Sequence, residues 1–253
     1  MYVLPYFGLP MTFTSNKKVI IIGATSGIGR ALAELYAKAG CTVGITGRRK
    51  ELLNELQQLY PAQIFTACFD VQQNDTINHL ITLIQQTGGM HLLIYNAGYG
   101  EPGNNLDWTI DKTTYETNVK GFIEIVHYAF NYFVQQGYGQ IAATSSIAAN
   151  RGNSQAPAYS ASKAFMSTYM EGLHIKATRM KLNIAVTDVQ PGFIATKMAK
   201  ADKTFWVAPV DKAARQIAHG IEKKKWRIYI TRRWWLIAQI MKWMPAWLYH
   251  RIG

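Results

Sequence analysis

The chain has 253 residues, of which 49% are hydrophobic and 17% charged, a composition typical of one large globular domain. This composition excludes a disordered or collagen-like protein. Residues 1–195 hold 14 basic and 12 acidic residues, whereas residues 196–253 hold 13 basic and 3 acidic ones. The net charge of +12 therefore belongs mainly to the C-terminal quarter.

Cysteine, histidine and the apolar runs limit the functional classes further. Cys41 and Cys68 are too few for a disulfide framework, so we expect a reducing, cytoplasmic compartment. The six histidines are scattered without the spacing of metal ligands, and we expect no bound metal. No apolar run reaches the roughly 18 to 20 residues that cross a bilayer, which disfavours an integral membrane protein.

The first 16 residues are apolar and carry no charged side chain. A secretory signal peptide would need a basic start, and Pro5 and Pro10 would break the helix of its apolar region. We therefore predict an extended N-terminal arm over residues 1–16.

From Lys17 onward, short β-rich apolar runs alternate with longer runs of helical spacing. This alternation predicts βαβ crossovers and a mostly parallel sheet that is covered on both faces. We predict a single α/β, doubly wound, Rossmann-type domain over residues 17–231, with about seven strands. The predicted strands are 19–22, 42–46, 64–69, 91–95, 140–144, 182–189 and 227–230. The predicted helices include residues 31–36, 52–59, 73–87, 110–136, 158–180 and 210–223.

A glycine-rich turn directly follows the first predicted strand. The segment reads Ile-Ile-Gly-Ala-Thr-Ser-Gly-Ile-Gly, with its glycines at Gly23, Gly27 and Gly29. Such a turn lets backbone N–H groups and a helix N-terminus approach an anionic pyrophosphate. The turn therefore indicates a dinucleotide site.

The end of the second strand indicates which dinucleotide is bound. An NAD site usually has an acid there for the ribose 2′-hydroxyl, whereas this chain reads Thr46-Gly47-Arg48-Arg49. An arginine fork suits a 2′-phosphate and favours NADP(H). The alternative is a basic helix start that is merely exposed to solvent.

Tyr159 and Lys163 are four residues apart at the start of a predicted helix and therefore share a face. A nearby ammonium stabilises a phenolate, so Tyr159 is a candidate general acid or base. Ser145 and Ser146 follow a strand, where their hydroxyls could bind a substrate oxygen or simply cap a helix. Chance alone would give about one Tyr-x-x-x-Lys in a chain of this composition, so the position of the motif decides.

Taken together, the motifs resemble those of the short-chain dehydrogenase/reductases. The shared features, in the family's order, are Gly-Ala-Thr-Ser-Gly-Ile-Gly, Asn-Ala-Gly at 96–98, Ser146 thirteen residues before Tyr159, Tyr-Ser-Ala-Ser-Lys, and Pro191-Gly192. The resemblance covers about residues 17–231. Two positions depart from the family pattern: Ile22 replaces a threonine before the first glycine, and Tyr95 replaces the first asparagine of Asn-Asn-Ala-Gly.

The resemblance implies a role for each matched residue. Tyr159 would be the proton donor or acceptor, Ser146 would polarise the carbonyl, and Lys163 would hold the nicotinamide ribose and tune Tyr159. Asn118, which lies within a predicted helix, would anchor a proton-relay water. The implied cofactor contacts are Gly23, Thr25, Ser26, Gly27, Ile28, Gly29, Arg48, Asp70, Val71, Asn96, Ala97, Gly98, Tyr159, Lys163, Pro191, Gly192 and Thr196.

We therefore predict an oxidoreductase that transfers a hydride between NADP(H) and a lipophilic carbonyl or alcohol. The lipophilic substrate follows from Phe205 and Trp206 in a predicted lid over residues 193–210. One alternative is reduction of a 3-oxoacyl group on an acidic carrier protein that docks on the basic C-terminal quarter. Another is an NADP(H)-binding scaffold without turnover. We also expect a homo-oligomer.

The sequence predicts a basic, tryptophan-rich helical extension over residues 232–253. Five of the seven tryptophans lie between Trp226 and Trp247, and Pro245 ends a largely apolar helical run. This pattern, within residues 223–251, suits an interfacial helix on an anionic membrane. The protein would then be peripheral at the inner face of that membrane. A helix that packs on the domain or across a homodimer interface is the alternative. Nucleic-acid binding is not expected, because no recognised motif accompanies the charge.

Overall fold

A computed structural model of the chain describes the backbone of residues 3–6 and 9–12, and all of residues 16–196 and 205–251. Two short strands come first: β1 (Val3–Tyr6) and β2 (Leu9–Thr12). The seven strands of the main sheet are β3 (Lys18–Ile22), β4 (Thr42–Gly47), β5 (Ile64–Cys68), β6 (Leu92–Tyr95), β7 (Gly139–Thr144), β8 (Ile184–Pro191) and β9 (Arg227–Ile230). The α-helices of the described part are α1 (Gly27–Lys38), α2 (Lys50–Leu59), α3 (Thr76–Gln86), α4 (Trp108–Tyr115), α5 (Gly121–Gln136), α6 (Pro157–Arg179), α7 (Val210–Glu222), α8 (Trp234–Trp243) and α9 (Ala246–Tyr249).

The main sheet is entirely parallel, with the strand order β5-β4-β3-β6-β7-β8-β9. The chain builds outward from β3 to β5, then crosses over and builds in the other direction from β6 to β9. The order therefore reverses between β3 and β6, where a doubly wound sheet opens a crevice at the carboxyl ends of its strands. The predicted Rossmann-type fold is confirmed.

Strand β3 shows why the sheet is buried on both faces. Val19 and Ile21 pack in a core with residues of α1, α2 and α7. Ile20 and Ile22 point the other way, into a core with residues of α3, α5 and α6. Since successive side chains alternate between faces, a central strand between two helical layers has to be apolar at every position.

Two segments differ from the sequence-based expectation. The N-terminal arm was predicted as one extended segment, but β1 and β2 pair antiparallel, with Pro5 opposite Pro10. Proline favours extended backbone, as predicted, and is tolerated at the edges of a sheet. The pairing itself depends on two segments meeting, which composition does not specify.

The single helix predicted over residues 110–136 is also interrupted. Residues Glu116–Lys120 form a π-helical turn between α4 and α5. Inside this turn, the backbone carbonyl of Thr117 accepts a 2.6 Å hydrogen bond from the buried Tyr95 hydroxyl. The Tyr95 hydroxyl therefore competes with helical N–H donors for this carbonyl, and π-helical turns of this kind often mark functional sites.

The two cysteines, both in the described part of the chain, lie at opposite ends of neighbouring strands. Cys41 precedes β4 and is buried, whereas Cys68 is exposed and pairs with Gly47 at the far end of β4. Six residues at about 3.3 Å each separate the two ends by about 20 Å, far beyond disulfide reach. Burial raises the pKa of the Cys41 thiol to about 11, with a contribution from the charge of Glu222.

We therefore expect a thiol reagent at pH 8 to modify Cys68 in the native protein and Cys41 only after unfolding. The exposure of Cys68 and the raised pKa of the buried Cys41 thiol both favour this order. Mass spectrometry of the wild type should find one modified cysteine before denaturation and two after it. The variant Cys68→Ser is the control and should take up no reagent while folded. Rapid native labelling of Cys41 would contradict the strand arrangement.

Candidate active site

The glycine turn lies against the segment that follows β6. Gly23 has a left-handed φ of 84°, and a β-carbon built there would lie 2.6 Å from the backbone nitrogen of Ala97. At Gly29 a β-carbon would lie 2.1 Å from the carbonyl oxygen of Gly23. The amide of Asn96 donates to that same carbonyl at 3.0 Å and accepts from the Thr144 hydroxyl at 3.1 Å. Asn96 thus joins the ends of β3, β6 and β7.

The polar residues of the glycine turn are held by an arginine. The Arg49 guanidinium donates through Nη2 to Thr25 Oγ1 at 2.5 Å and to Ser26 Oγ at 2.9 Å. Ile28 follows at the buried start of α1. Sequence reasoning included Arg49 in an arginine fork but selected only Arg48 as a contact. The adjacent position of the two arginines was the available signal.

Arg48 lies at the outer side of the same strand end. Its side chain is 63% exposed, and Nη1 lies 3.5 Å from Oδ2 of Asp70, at the end of β5. Val71 is buried, and its carbonyl oxygen would lie 2.6 Å from a β-carbon on Gly121. A β-carbon on Gly47 would lie 2.5 Å from the methyl carbon of Thr25, so an acidic side chain at position 47 requires Thr25 to move.

The hydroxyls of Ser146, after β7, and Tyr159, near the start of α6, lie close to each other. Burial raises the pKa of the Tyr159 hydroxyl, and the neighbouring Ser146 hydroxyl acts in the opposite direction. Ser146 also accepts a hydrogen bond from the Ala148 N–H at 3.1 Å, so it caps the short 3₁₀ turn that follows. The capping role and the contact with Tyr159 therefore coexist in one side chain. Ser145 instead points toward β8, where it donates to Val189 O at 3.1 Å.

Lys163 lies one turn after Tyr159 on α6 and is buried. Its Nζ donates to the Thr144 carbonyl at 2.9 Å and lies 5.7 Å from the centre of the Tyr159 ring. Burial lowers the pKa of Lys163 to about 8, and the charge of Asp188 opposes that shift. A β-carbon on Gly98 would lie 3.2 Å from Lys163 Nζ, so the Asn-Ala-Gly segment reaches the same place.

Asn118 is fully buried in the π-helical turn. Its Oδ1 accepts from the Tyr99 N–H at 2.9 Å, and its Nδ2 donates to Tyr99 O at 2.7 Å and to Ser162 Oγ at 2.9 Å. Asn118 therefore holds the segment after β6 against α6. The implied role of Asn118 in anchoring a relay water stays a prediction.

Several residues near the site had no recognised signal in the sequence. Asp188, fully buried on β8, accepts hydrogen bonds from Ser145 Oγ, from Ser167 Oγ at 2.7 Å and from Arg227 Nε at 2.9 Å. Gly100 packs on Tyr159, since a β-carbon there would lie 2.2 Å from the ring. None of these positions belongs to a local motif.

The segment after β8 forms the other wall of the site. Pro191 is buried, and a β-carbon on Gly192 would lie 2.0 Å from the indole ring of Trp234, at the start of α8. Thr196 reaches the glycine turn, with its methyl carbon 3.1 Å from the position of a β-carbon on Gly27. Ile194 and Ala208 form an isolated β-bridge, which closes the base of the predicted lid. Lid residues 197–204 lie outside the described part of the chain.

Trp234 is the centre of an aromatic cluster, defined here as Phe193, Phe205, Trp206 and Trp234. The other three ring centres lie 5.5, 5.1 and 6.1 Å from the Trp234 ring, respectively. Trp234 is buried, and its indole N–H has no acceptor among the described residues. The predicted apolar entrance at Phe205 and Trp206 therefore includes a residue of the C-terminal extension.

The residues present fit a dinucleotide. Gly23 and Gly29 let the backbone of the turn pack closely on Ala97 and on itself, the turn leads into the N-terminus of α1, and two arginines lie at the end of β4. A doubly wound parallel sheet with such a turn at its switch point defines a dinucleotide-binding α/β protein.

Comparison with known proteins identifies the family. A family model described as short chain dehydrogenase matches residues 17–205, and the chain belongs to that family of oxidoreductases. An "Uncharacterized oxidoreductase" of Myxococcus xanthus is 32% identical over 194 residues, which cover 74% of this chain and 76% of the relative. The family binds nicotinamide cofactors.

Solved structures share the fold at lower sequence identity. The NADPH-dependent 3-quinuclidinone reductase from Rhodotorula rubra is 23% identical, with a TM-score of 0.74 over 85% of this chain and 90% of that one. The 3-ketoacyl-(acyl-carrier-protein) reductase from Brucella melitensis, complexed with NADH, is 20% identical, with a TM-score of 0.77 over 85% and 97%.

Asn118→Ala should destabilise the protein. The change removes three hydrogen bonds and leaves the Tyr99 backbone and Ser162 without that partner. An intramolecular hydrogen bond contributes about 0.5 to 1.5 kcal/mol net, so the loss of three should lower the free energy of unfolding by roughly 2 to 4 kcal/mol. Urea unfolding measures this change. Asn131→Ala, at an exposed site on α5, is the control and should change stability by less than about 0.5 kcal/mol. Equal effects of the two variants would contradict the structural role of Asn118.

Proposed function

We propose that this protein is an NADP(H)-dependent oxidoreductase that interconverts a lipophilic carbonyl compound and its alcohol. The observation that carries the proposal is the buried Tyr159 hydroxyl next to Ser146, with the buried Lys163 Nζ 5.7 Å from the Tyr159 ring and close to Gly98 of the segment that packs on the glycine turn. A proton donor, a second hydroxyl and a cation together serve a reaction in which negative charge develops on a carbonyl oxygen.

Each side chain of the site has a separate role in the proposed reaction. The bound nicotinamide supplies or accepts the hydride. In the reducing direction, Tyr159 gives its proton to the carbonyl oxygen, while the Ser146 hydroxyl donates a hydrogen bond to that oxygen. Lys163, whose pKa lies at about 8, stabilises the phenolate that Tyr159 leaves behind.

Two guanidinium groups support the choice of NADP(H). Arg48 is largely exposed and lies next to Asp70, and Arg49 donates hydrogen bonds to the two hydroxyls of the glycine turn. Gly47 stands where an NAD site usually has an acid. The fold neighbours described as NADPH-dependent and as complexed with NADH show that this fold accommodates both cofactors.

The aromatic cluster supports a lipophilic substrate. The Trp234 ring lies against Gly192, which directly follows β8, and β8 pairs in parallel with β7, so an apolar group bound at the cluster would lie at the same end of the sheet as Ser146. Apolar walls with a few polar groups are typical of small-molecule sites.

The second candidate is reduction of a 3-oxoacyl group on an acidic carrier protein. A basic surface favours it: residues 223–251 hold eight lysines and arginines and no acidic residue. The fold neighbour from Brucella melitensis is a reductase of this class. Turnover that requires the carrier protein, and not the free carbonyl, would favour this candidate.

Tyr159→Phe should remove most of the turnover and leave cofactor binding almost unchanged, because only the proton-transferring group is lost. Groups of this kind contribute about 10² to 10⁴-fold, so kcat should fall by at least about 10²-fold. Steady-state assays on a panel of aldehydes and ketones measure this, and calorimetry measures cofactor affinity.

Tyr138→Phe is the matched control, since Tyr138 is exposed and precedes β7, at the end of that strand opposite to Ser146. It should keep wild-type turnover. Wild-type turnover in Tyr159→Phe would refute the assignment, and a folded wild type that binds NADPH but turns over no carbonyl would indicate a scaffold.

Arg48→Ala should weaken the binding of NADPH and leave the binding of NADH nearly unchanged. A charge-assisted hydrogen bond is worth about 1.5 to 3 kcal/mol, which corresponds to roughly 10- to 100-fold in affinity. Arg49→Ala should weaken the binding of both cofactors, because Arg49 also holds Thr25 and Ser26 in place by hydrogen bonds. Calorimetry with both cofactors distinguishes these effects, with exposed Arg179→Ala as the control. A wild type that binds NADH as tightly as NADPH would refute the cofactor choice.

A further inference from the structure

The helix α8 has one buried edge and one exposed edge. Trp234 and Ala238, one turn apart, are buried against the domain. The other edge, continued into α9, carries large apolar side chains that are largely exposed, including Trp243 at 84% and Trp247 at 65%. We call this exposed set the C-terminal patch, and its members are Trp235, Leu236, Ile240, Trp243, Trp247 and Leu248.

The C-terminal patch is fixed to the rim of the active site. Arg151, five residues after Ser146, donates to the Met244 carbonyl at 3.2 Å, and its guanidinium lies 4.6 Å from the centre of the Tyr249 ring. The Tyr249 hydroxyl donates to Gly152 O at 2.7 Å. On the other side, Trp234 packs on the segment after β8.

The charges carried by residues 223–251 all have one sign. Arg232, Arg233, Lys242 and Arg251 are exposed on or beside α8 and α9. No acidic residue occurs in residues 223–251 to pair with them. Bulky aromatic side chains flanked by cations match the boundary of an anionic bilayer, where apolar rings enter the lipid and cations are attracted to the headgroups.

Among the described residues, no helix combines the length and apolarity that crossing a membrane requires. A second copy of the chain is also a poor partner for the patch. If two such patches packed together, the cations of one copy would lie near those of the other and repel them, and residues 223–251 contain no acidic group to offset the repulsion.

We propose that the C-terminal patch docks the protein onto the surface of an anionic lipid bilayer, with the entrance of the active site next to the lipid. Trp234 belongs to the same helix as the patch and to the aromatic cluster of the site. A lipophilic substrate would therefore pass along α8 from the bilayer to the site. This route, unlike the docking itself, rests on the proposed function.

The test is co-sedimentation of the full-length protein with phosphatidylcholine vesicles, with and without phosphatidylserine. We expect binding to the anionic vesicles at low salt, and less binding to neutral vesicles or at high salt. The double variant Trp243→Ser, Trp247→Ser should lower the partition coefficient at least about tenfold, because it removes the two most exposed apolar side chains that would enter the lipid.

Trp108→Ser is the matched control, since Trp108 is 77% exposed at the start of α4, outside the C-terminal extension. It should bind vesicles like the wild type. Each of these three substitutions leaves the charge of the protein unchanged. Circular dichroism and NADPH binding confirm that each variant is folded.

Absence of wild-type binding to anionic vesicles at low salt would overturn the proposal, as would equal losses in the control and the double variant. A wild-type dimer that the double variant converts to a monomer, without vesicle binding, would assign the patch to a second copy. Vesicle binding without carbonyl turnover would support the docking and refute the proposed function. Turnover without vesicle binding would refute the docking and support the proposed function.

Discussion

A buried carboxylate holds together the strands and the helix that carry the candidate catalytic residues. Asp188 is fully buried on β8 and accepts hydrogen bonds from Ser145 after β7, from Ser167 on α6 and from Arg227 on β9. A buried charge is costly unless it is paired and hydrogen-bonded, so these elements can assemble only in an arrangement that satisfies this carboxylate. The same arrangement places Lys163, one turn before Ser167, against the Thr144 carbonyl.

The site therefore combines two kinds of constraint. On the side of the glycine turn, the absence of side chains at Gly23 and Gly29 permits the close approach of backbone segments. On the side of Tyr159, a network of polar side chains fixes the distance between α6 and β7. The first constraint is local in sequence, and the second joins residues from 145 to 227. This difference explains which part of the site could be predicted.

The sequence predicted the strands of the sheet, because apolar runs that are buried on both faces differ sharply from amphipathic helices. It also predicted the position of the glycine turn, which directly follows β3, and of Tyr159 with Lys163 at the start of a helix. It did not indicate Asp188, since an acid within an apolar strand has no pattern that names its partner 39 residues away. The π-helical turn at Asn118 was missed because one extra residue barely changes a helical period. The C-terminal helix packs on the domain through Trp234, as one of the two alternatives predicts, while Trp243 is exposed to solvent and the membrane alternative stays a prediction.

The contact of Arg49 with the glycine turn has a consequence for the thermodynamics of binding. Thr25 and Ser26 are already hydrogen-bonded by a cation of the same chain, so the turn is ordered before any anion arrives. Its conformational entropy is lost during folding rather than during binding. The turn acts as a rigid template, and the affinity for a phosphate group then depends on how far the guanidinium must shift, and not on how much backbone must be ordered.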